Sequence, residues 1–171
     1  MLTFQSPRIE DKNWVKELFS YSQFQGCEYT FGNLYIWNPI YSSKITRFND
    51  FFISKSTGSK PSYVFPAGRG DLKKVIEAML DDAHGSGHPF RLHGVTKEAQ
   101  AALEEILPGA FEYQPYRDGF DYIYNTQDLI SLSGRKYHGK RNHIAYFQKT
   151  YDWHYEPITT ANIGDCMRMN A

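Results

Sequence analysis

The hydrophobic period changes twice along this chain, and that change limits the folds open to it. Over 12–19, Trp14, Val15, Leu18 and Phe19 fall at helical spacing, with Asp11 in the N-cap position. Over 30–37, Phe31, Leu34 and Tyr35 share one helical face, and Asn38-Pro39 is expected to stop that helix. Residues 44–48, 51–54 and 62–65 are then short β-prone runs. Turns at Asn49-Asp50 and over 56–60 separate them, which predicts an antiparallel meander.

From residue 62 a strand–turn–helix module is expected three times, with strands at 63–66, 90–93 and 120–125. Each precedes an acidic helix start (Asp71, Glu98, Asp128) that suits the positive end of a helix. The helices fall at 71–83, 96–107 and 127–150. A weak edge strand is expected at 2–5, and a strand at 153–158 leads into a helix over 159–171. This alternation predicts an α/β (α+β) domain, a mixed sheet flanked by helices. The last helix carries no stop signal. The expected organisation is one unit over 1–150 and the start of a second over 151–171.

A chain of 171 residues can bury one sizeable core, and its 41% apolar and 22% charged content is that of a globular domain. No run approaches the ~18 apolar residues of a spanning helix, and no signal pattern opens the chain. Cys27 and Cys166 match no metal or redox spacing, so a reduced cytoplasmic setting is expected. Aromatic residues, at 16%, serve either as core and sheet filler or as the lining of a groove.

The 19 bases and 19 acids cancel, yet they are not evenly spread. Residues 129–151 hold five Lys or Arg (Arg135, Lys136, Lys140, Arg141, Lys149), two His and no acid, whereas 71–128 carry eleven acids against five bases. A positive field concentrated in one element points to an anionic partner. With helical geometry, Ile130, Tyr137, Ile144, Phe147 and Tyr151 form one stripe, expected to face the core. Arg135, His138, Asn142 and Lys149 gather opposite, as a solvated face would.

Lys140 and Arg141 fall on or beside the apolar stripe. They are therefore expected to be partly buried, facing acids or an anion-sized cleft. Gly134 and Gly139 each cost a helix interior about 1 kcal/mol relative to Ala, so 134–139 is expected to be partly irregular. His138 and His143 are five apart with no acid nearby, which excludes the i, i+4 pairing of zinc helices; no metal site is expected.

Phe65-Pro66-Ala67-Gly68-Arg69-Gly70-Asp71 joins a strand to a helix start, where backbone N–H groups and the helix dipole can hold a phosphate. Gly68, Arg69 and Gly70 are the phosphate-loop candidates. The alternative is a tight strand-to-helix turn.

The element order is that of the GNAT acyltransferase fold. Three stretches resemble the bacterial family that includes the C-terminal domain of phosphatidylglycerol lysyltransferase: YTFGNLYIW over 29–37, FPAGRGD over 65–71, and GRKYHGKRNH over 134–143. That family is similar to the tandem Fem-type transferases. The resemblance implies a first GNAT-like unit followed by a second in the same full-length chain, with aminoacyl-tRNA or acyl-CoA as donor. In ordinary GNAT enzymes a Gln or Arg stands three residues before the first loop glycine. Here that place is Phe65, and Pro66 lacks an N–H, so this unit is not expected to hold coenzyme A in the usual way.

Three readings follow. The first is an acyltransferase acting on an amine or hydroxyl acceptor, with Arg135, Lys136, His138, Lys140, Arg141, Asn142 and His143 binding substrate or anion. The second is a non-catalytic module for tRNA or another polyanion. The third is a structural role in which the basic helix bridges two units. No residue stands out as a catalytic base.

Overall fold

The computed structural model describes residues 2–170. By compactness the chain divides into two units, Met1–Gly119 and Phe120–Ala171, so the division falls ahead of the 150/151 boundary drawn from the element pattern.

In the first unit, α1 (Lys12–Ser22), α2 (Phe31–Ile36) and α3 (Asn38–Tyr41) lead into β1 (Lys44–Phe48) and β2 (Phe51–Lys55). Then come β3 (Tyr63–Val64), β4 (Ala67–Gly68), α4 (Leu72–Gly85), β5 (Leu92–His93) and α5 (Lys97–Ile106). The sheet is mixed. β1 and β2 pair antiparallel around the Asn49-Asp50 turn, β2 pairs antiparallel with β3 and β4, and β3 runs parallel to β5. The expected meander is present, and so is the parallel step that follows it.

β2 is the central strand, and its residues 51–54 are all buried because helices cover both faces. Phe51 and Ile53 join Tyr63 and Phe65 against Val75, Ile76 and Met79 of α4 and Ala99 and Leu103 of α5. Phe52, between them, points with Ile45 to the opposite face, where Val15 and Leu18 of α1 and Phe31 of α2 close a second cluster. Side chains this deeply buried contribute about 1.5–3 kcal/mol each.

Local chemistry sets the helix ends. The Asp71 carboxylate accepts the Lys74 N–H at 3.1 Å, and the Thr96 hydroxyl accepts the Ala99 N–H at 3.2 Å. Asp11 acts differently from the expected N-cap. Its buried carboxylate accepts from the Arg8 N–H at 2.8 Å, Trp14 Nε1 at 2.9 Å and Gln5 Nε2 at 3.1 Å, and makes no cap bond to α1. α2 ends at Ile36, ahead of Asn38-Pro39 as expected, and because proline needs no N–H donor in a first turn, Pro39 then opens the short α3.

β3 and β4 face β2 with a register break. Lys55 is opposite Tyr63 and Phe52 opposite Ala67, so three steps along β2 match four along the partner. One extra residue is therefore accommodated over 64–66, which is a β-bulge. Pro66, fully buried there, has no N–H to leave unpaired.

The second unit contains α6 (Thr126–Ser131), α7 (His138–Thr150) and α8 (Ile163–Met169). Among the described residues it has no strand, which corrects two expectations. Residues 120–125 and 153–158 carry β-prone side chains, but no neighbouring strand supplies a ladder, and both are exposed. The strand–helix module therefore occurs twice, not three times. The edge strand expected at 2–5 reduces to one antiparallel bridge between Gln5 and Ile45. Of the helix expected over 159–171, Thr159 to Asn162 form a turn and Ala171 lies outside the described residues.

Candidate functional site

The helix expected over 127–150 is interrupted, and the interruption shapes the basic segment. α6 ends with Leu132 in the left-handed region (φ 46°), and Gly134 follows at φ 84°. A single 3-10 turn, Arg135–Tyr137, then leads into α7. Gly134 fits the expected irregularity, whereas Gly139 lies inside α7.

Two of the cations are spent on this geometry. The Arg141 guanidinium donates to the carbonyl oxygens of Leu132 and, at 2.9 Å, Gly134, tying the last turn of α6 to the first of α7. Lys136 Nζ reaches Asp128 Oδ2 at 3.0 Å and lies 4.8 Å from the centre of the Tyr137 ring. Its bond to the Asp128 carboxylate raises the ammonium pKa. Tyr137 is buried and donates to the same carboxylate at 3.4 Å.

Lys140 and Arg141, expected to be partly buried, are both exposed, and Arg141 meets carbonyls where an acid was expected. The stripe that should have buried them is itself exposed: Ile130, Ile144, Phe147 and Tyr151 all face solvent, and only Tyr137 is covered. His138 and Asn142 interact at 3.3 Å along one helix face. Among the described residues, Arg135, Lys140 and His143 have no side-chain partner, and the whole segment reaches a single carboxylate, Asp128. With Lys149 near the end of α7, four unpaired basic side chains therefore stand on a framework held by two others. Such an array can bind a polyanion by releasing its counterions.

In the first unit the loop of Gly68, Arg69 and Gly70 is tightly used by the fold. The Gly68 N–H donates to Ser22 Oγ at 2.5 Å, and the Arg69 N–H donates to the Asp50 carbonyl at 3.1 Å. A Cβ on Gly68 would fall 2.7 Å from the Phe51 Cα, which explains the glycine. The Arg69 guanidinium lies 4.1 Å from the centre of the Tyr21 ring and 3.8 Å from Asp50 Oδ2. The Asp71 carboxylate already occupies the N-terminus of α4. Two N–H groups and the helix end are therefore satisfied internally, which is the chemistry of a strand-to-helix turn.

Beside this loop, at the carboxyl ends of parallel β3 and β5, lies a group that the sequence reading passed over. Tyr29, kept protonated by burial, donates its hydroxyl to the Phe65 carbonyl at 3.0 Å, and the Phe65 N–H donates to the His93 carbonyl at 2.9 Å. His93 keeps part of its surface in solvent. Even so, lost hydration holds its imidazole below the ordinary 6.5, with the Glu28 carboxylate pulling the other way. Part of the signal is in the sequence, because ligands of α/β sheets bind outside the carboxyl ends of parallel strands and residues 90–93 are expected as a strand followed by a helix.

Mixed-sheet topology, helices on both faces and a bulged strand beside a parallel pair define an α/β domain. The chain belongs to the family described as phosphatidylglycerol lysyltransferase, C-terminal, which matches residues 19–171. It is also similar to the crystal structure of a conserved protein of unknown function from Bacteroides thetaiotaomicron VPI-5482, with a TM-score of 0.88 and 35% sequence identity. That alignment covers 99% of this chain and 58% of the other. The chain thus spans little more than half the length of its structural relative. No curated protein matches it. Among the described residues no helix is long and apolar enough to cross a membrane, and no three metal-ligating side chains gather.

Proposed function

We propose that this chain serves a GNAT-like transferase that moves an aminoacyl or acyl group from aminoacyl-tRNA or acyl-CoA to an amine or hydroxyl acceptor. The observation that carries the reading is membership of the lysyltransferase-related family over residues 19–171. The exposed, unpartnered Arg135, Lys140 and His143 support it, since both donors are polyanions. Arg135, Lys140 and His143 contact donor phosphates, Asn142 and His138 supply polar contacts, and Lys136 and Arg141 hold the turn that presents them. A GNAT-like unit over 1–150 and a second beginning near 151 belong to the same proposal. The β3–β5 parallel pair and the neighbouring bulge support the first of these.

In the transfer, the acceptor nitrogen or oxygen forms a bond to the acyl carbon. The donor's ester or thioester bond breaks, and the acceptor's proton passes to a base. His93 is the candidate base: its lowered pKa leaves it neutral near pH 7, the form that takes up a proton.

Equilibrium binding of aminoacyl-tRNA, uncharged tRNA and acyl-CoA to the whole chain tests this reading. At least one donor should bind and be displaced by its own product. If neither tRNA nor acyl-CoA binds above the level of an unrelated anion such as heparin, the donor assignment fails.

A further inference from the structure

A concavity lies in the first unit, between α1 and the segment that carries α2. It is an open groove of about 650 Å³, within the range that holds one small molecule. Phe19, Tyr29, Phe31 and Tyr35 form its apolar walls, and Lys12 and Lys16 stand one turn apart on α1 at its rim. The Phe31 and Tyr35 rings stack at 5.9 Å, giving a flat wall. Gly32 contributes open space, since a Cβ there would meet nothing within 4 Å.

The polar groups in this lining are largely spent. Ser20 donates to the Glu17 carbonyl at 2.6 Å, Thr30 to the Cys27 carbonyl at 3.0 Å and Tyr29 to the Phe65 carbonyl at 3.0 Å. Lys12, Lys16 and the Tyr35 hydroxyl have no partner among the described residues, and no acid lines the groove. Residues 29–43 hold no Asp, Glu, Lys or Arg at all. Apolar walls with two unpaired ammonium groups at one rim match a ligand that is apolar along its body and anionic at one end.

We infer that this groove binds a single amphipathic anion: one apolar chain or ring bearing a carboxylate or phosphate, seated on Phe19, Phe31 and Tyr35 with its charge between Lys12 and Lys16. The Phe24 ring, also in the wall, packs 4.7 Å from Tyr29 and 5.8 Å from Phe65 beside the bulge. The groove therefore abuts the strand ends that carry His93. Its role as the acceptor's seat rests on the transferase reading, whereas the binding does not. Failure of donor binding would remove that role and leave the site intact.

The test is calorimetric titration of the whole chain with dodecyl phosphate and with laurate, both kept below their micelle concentrations. The cationic dodecyltrimethylammonium and anionic phospholipid vesicles are the comparison arms. One dodecyl phosphate should bind per chain, and the cation should bind at least about tenfold more weakly. Lys12→Glu with Lys16→Glu should weaken the anion about tenfold or more at unchanged melting temperature. Arginine at both positions should retain binding, and Gly32→Leu should fill the groove and weaken every single-chain ligand. Equal binding of cation and anion in the unaltered chain would overturn the inference without recourse to any variant. So would charge reversal without effect, or binding to vesicles with no one-to-one binding of the free amphiphile.

Discussion

Residues 2–119 and 120–170 contain similar side chains and use them in opposite ways. In the first unit, aromatic and aliphatic groups of the sheet sink into two clusters, and one charge pair is drawn into the fold: Lys55 Nζ lies 2.5 Å from Asp82 Oδ2, which also accepts from the Tyr63 hydroxyl at 2.6 Å. Among the described residues of the second unit, only Tyr137 of the large apolar side chains is buried, while Phe147, Tyr151 and Trp153 form an exposed ring cluster with centroid spacings of 5.1 and 6.0 Å. Of its Lys and Arg residues, Lys136 and Arg141 hold a turn, Arg168 pairs with Asp165, and Arg135, Lys140 and Lys149 have no partner among the described residues. A helical stripe states which residues would be buried together; burial itself requires a surface to cover them.

The largest effect should come from the buried charge of the first unit. Asp82→Asn leaves the Lys55 ammonium, 15% exposed, without its carboxylate, and unfolding should become easier by about 3–5 kcal/mol. Met79→Ala in the same core should cost about 2–5 kcal/mol. Denaturant titration measures both, and a loss below about 1 kcal/mol in each would contradict the described core. Next comes Gly68→Ala, where the added methyl meets the Asp50–Phe51 backbone. A cost of about 1–3 kcal/mol is expected, with no change in the helical signal of α4.

The pH dependence sharpens the same contrast. The folded pKa of His93 lies below its unfolded value of 6.5, so between those two values the unfolded chain binds more protons. Stability should therefore be fully present above about pH 6.5 and decline as pH falls through the lowered value. His93→Gln should flatten that part of the profile. A profile unchanged by the substitution would remove the case for a desolvated imidazole.

In the second unit, Arg141→Gln should cost about 1 kcal/mol by releasing the two carbonyls of the α6–α7 turn, while Lys140→Gln should cost nothing measurable. Phe147→Ala, at a side chain 47% exposed, should cost less than about 1 kcal/mol. If it costs as much as Met79→Ala, the ring cluster is covered in the molecule and the contrast between the units collapses.

The legible parts of the fold were those set by short-range patterns. Asn49-Asp50 between two β-prone runs specifies the β1–β2 hairpin, and Asn49 takes φ 54° as such a turn asks. Asp71 and Thr96 mark their helix starts by side-chain chemistry alone. Residues 120–125 and 153–158 misled because β-propensity records fit to a pleated surface, and no such surface is present there. Lys140 and Arg141 were paired by their wheel positions. The left-handed Leu132, which gives Arg141 its carbonyls and leaves Lys140 free, follows no residue preference that a sequence reveals. Lys55 and Asp82 are 27 residues apart, and only the packing of α4 on the sheet brings them together.

The central claim is that Arg135, Lys140 and His143 are free to receive a polyanionic donor, whereas Lys136 and Arg141 are not. The salt dependence of aminoacyl-tRNA binding tests it most directly, compared between the unaltered chain and the Arg135→Gln and Lys140→Gln variants. Each variant should keep its melting temperature and lower the slope of log affinity against log salt by about 0.7–0.9, one counterion per lost contact. An unchanged slope in both variants, with binding intact, would contradict the account.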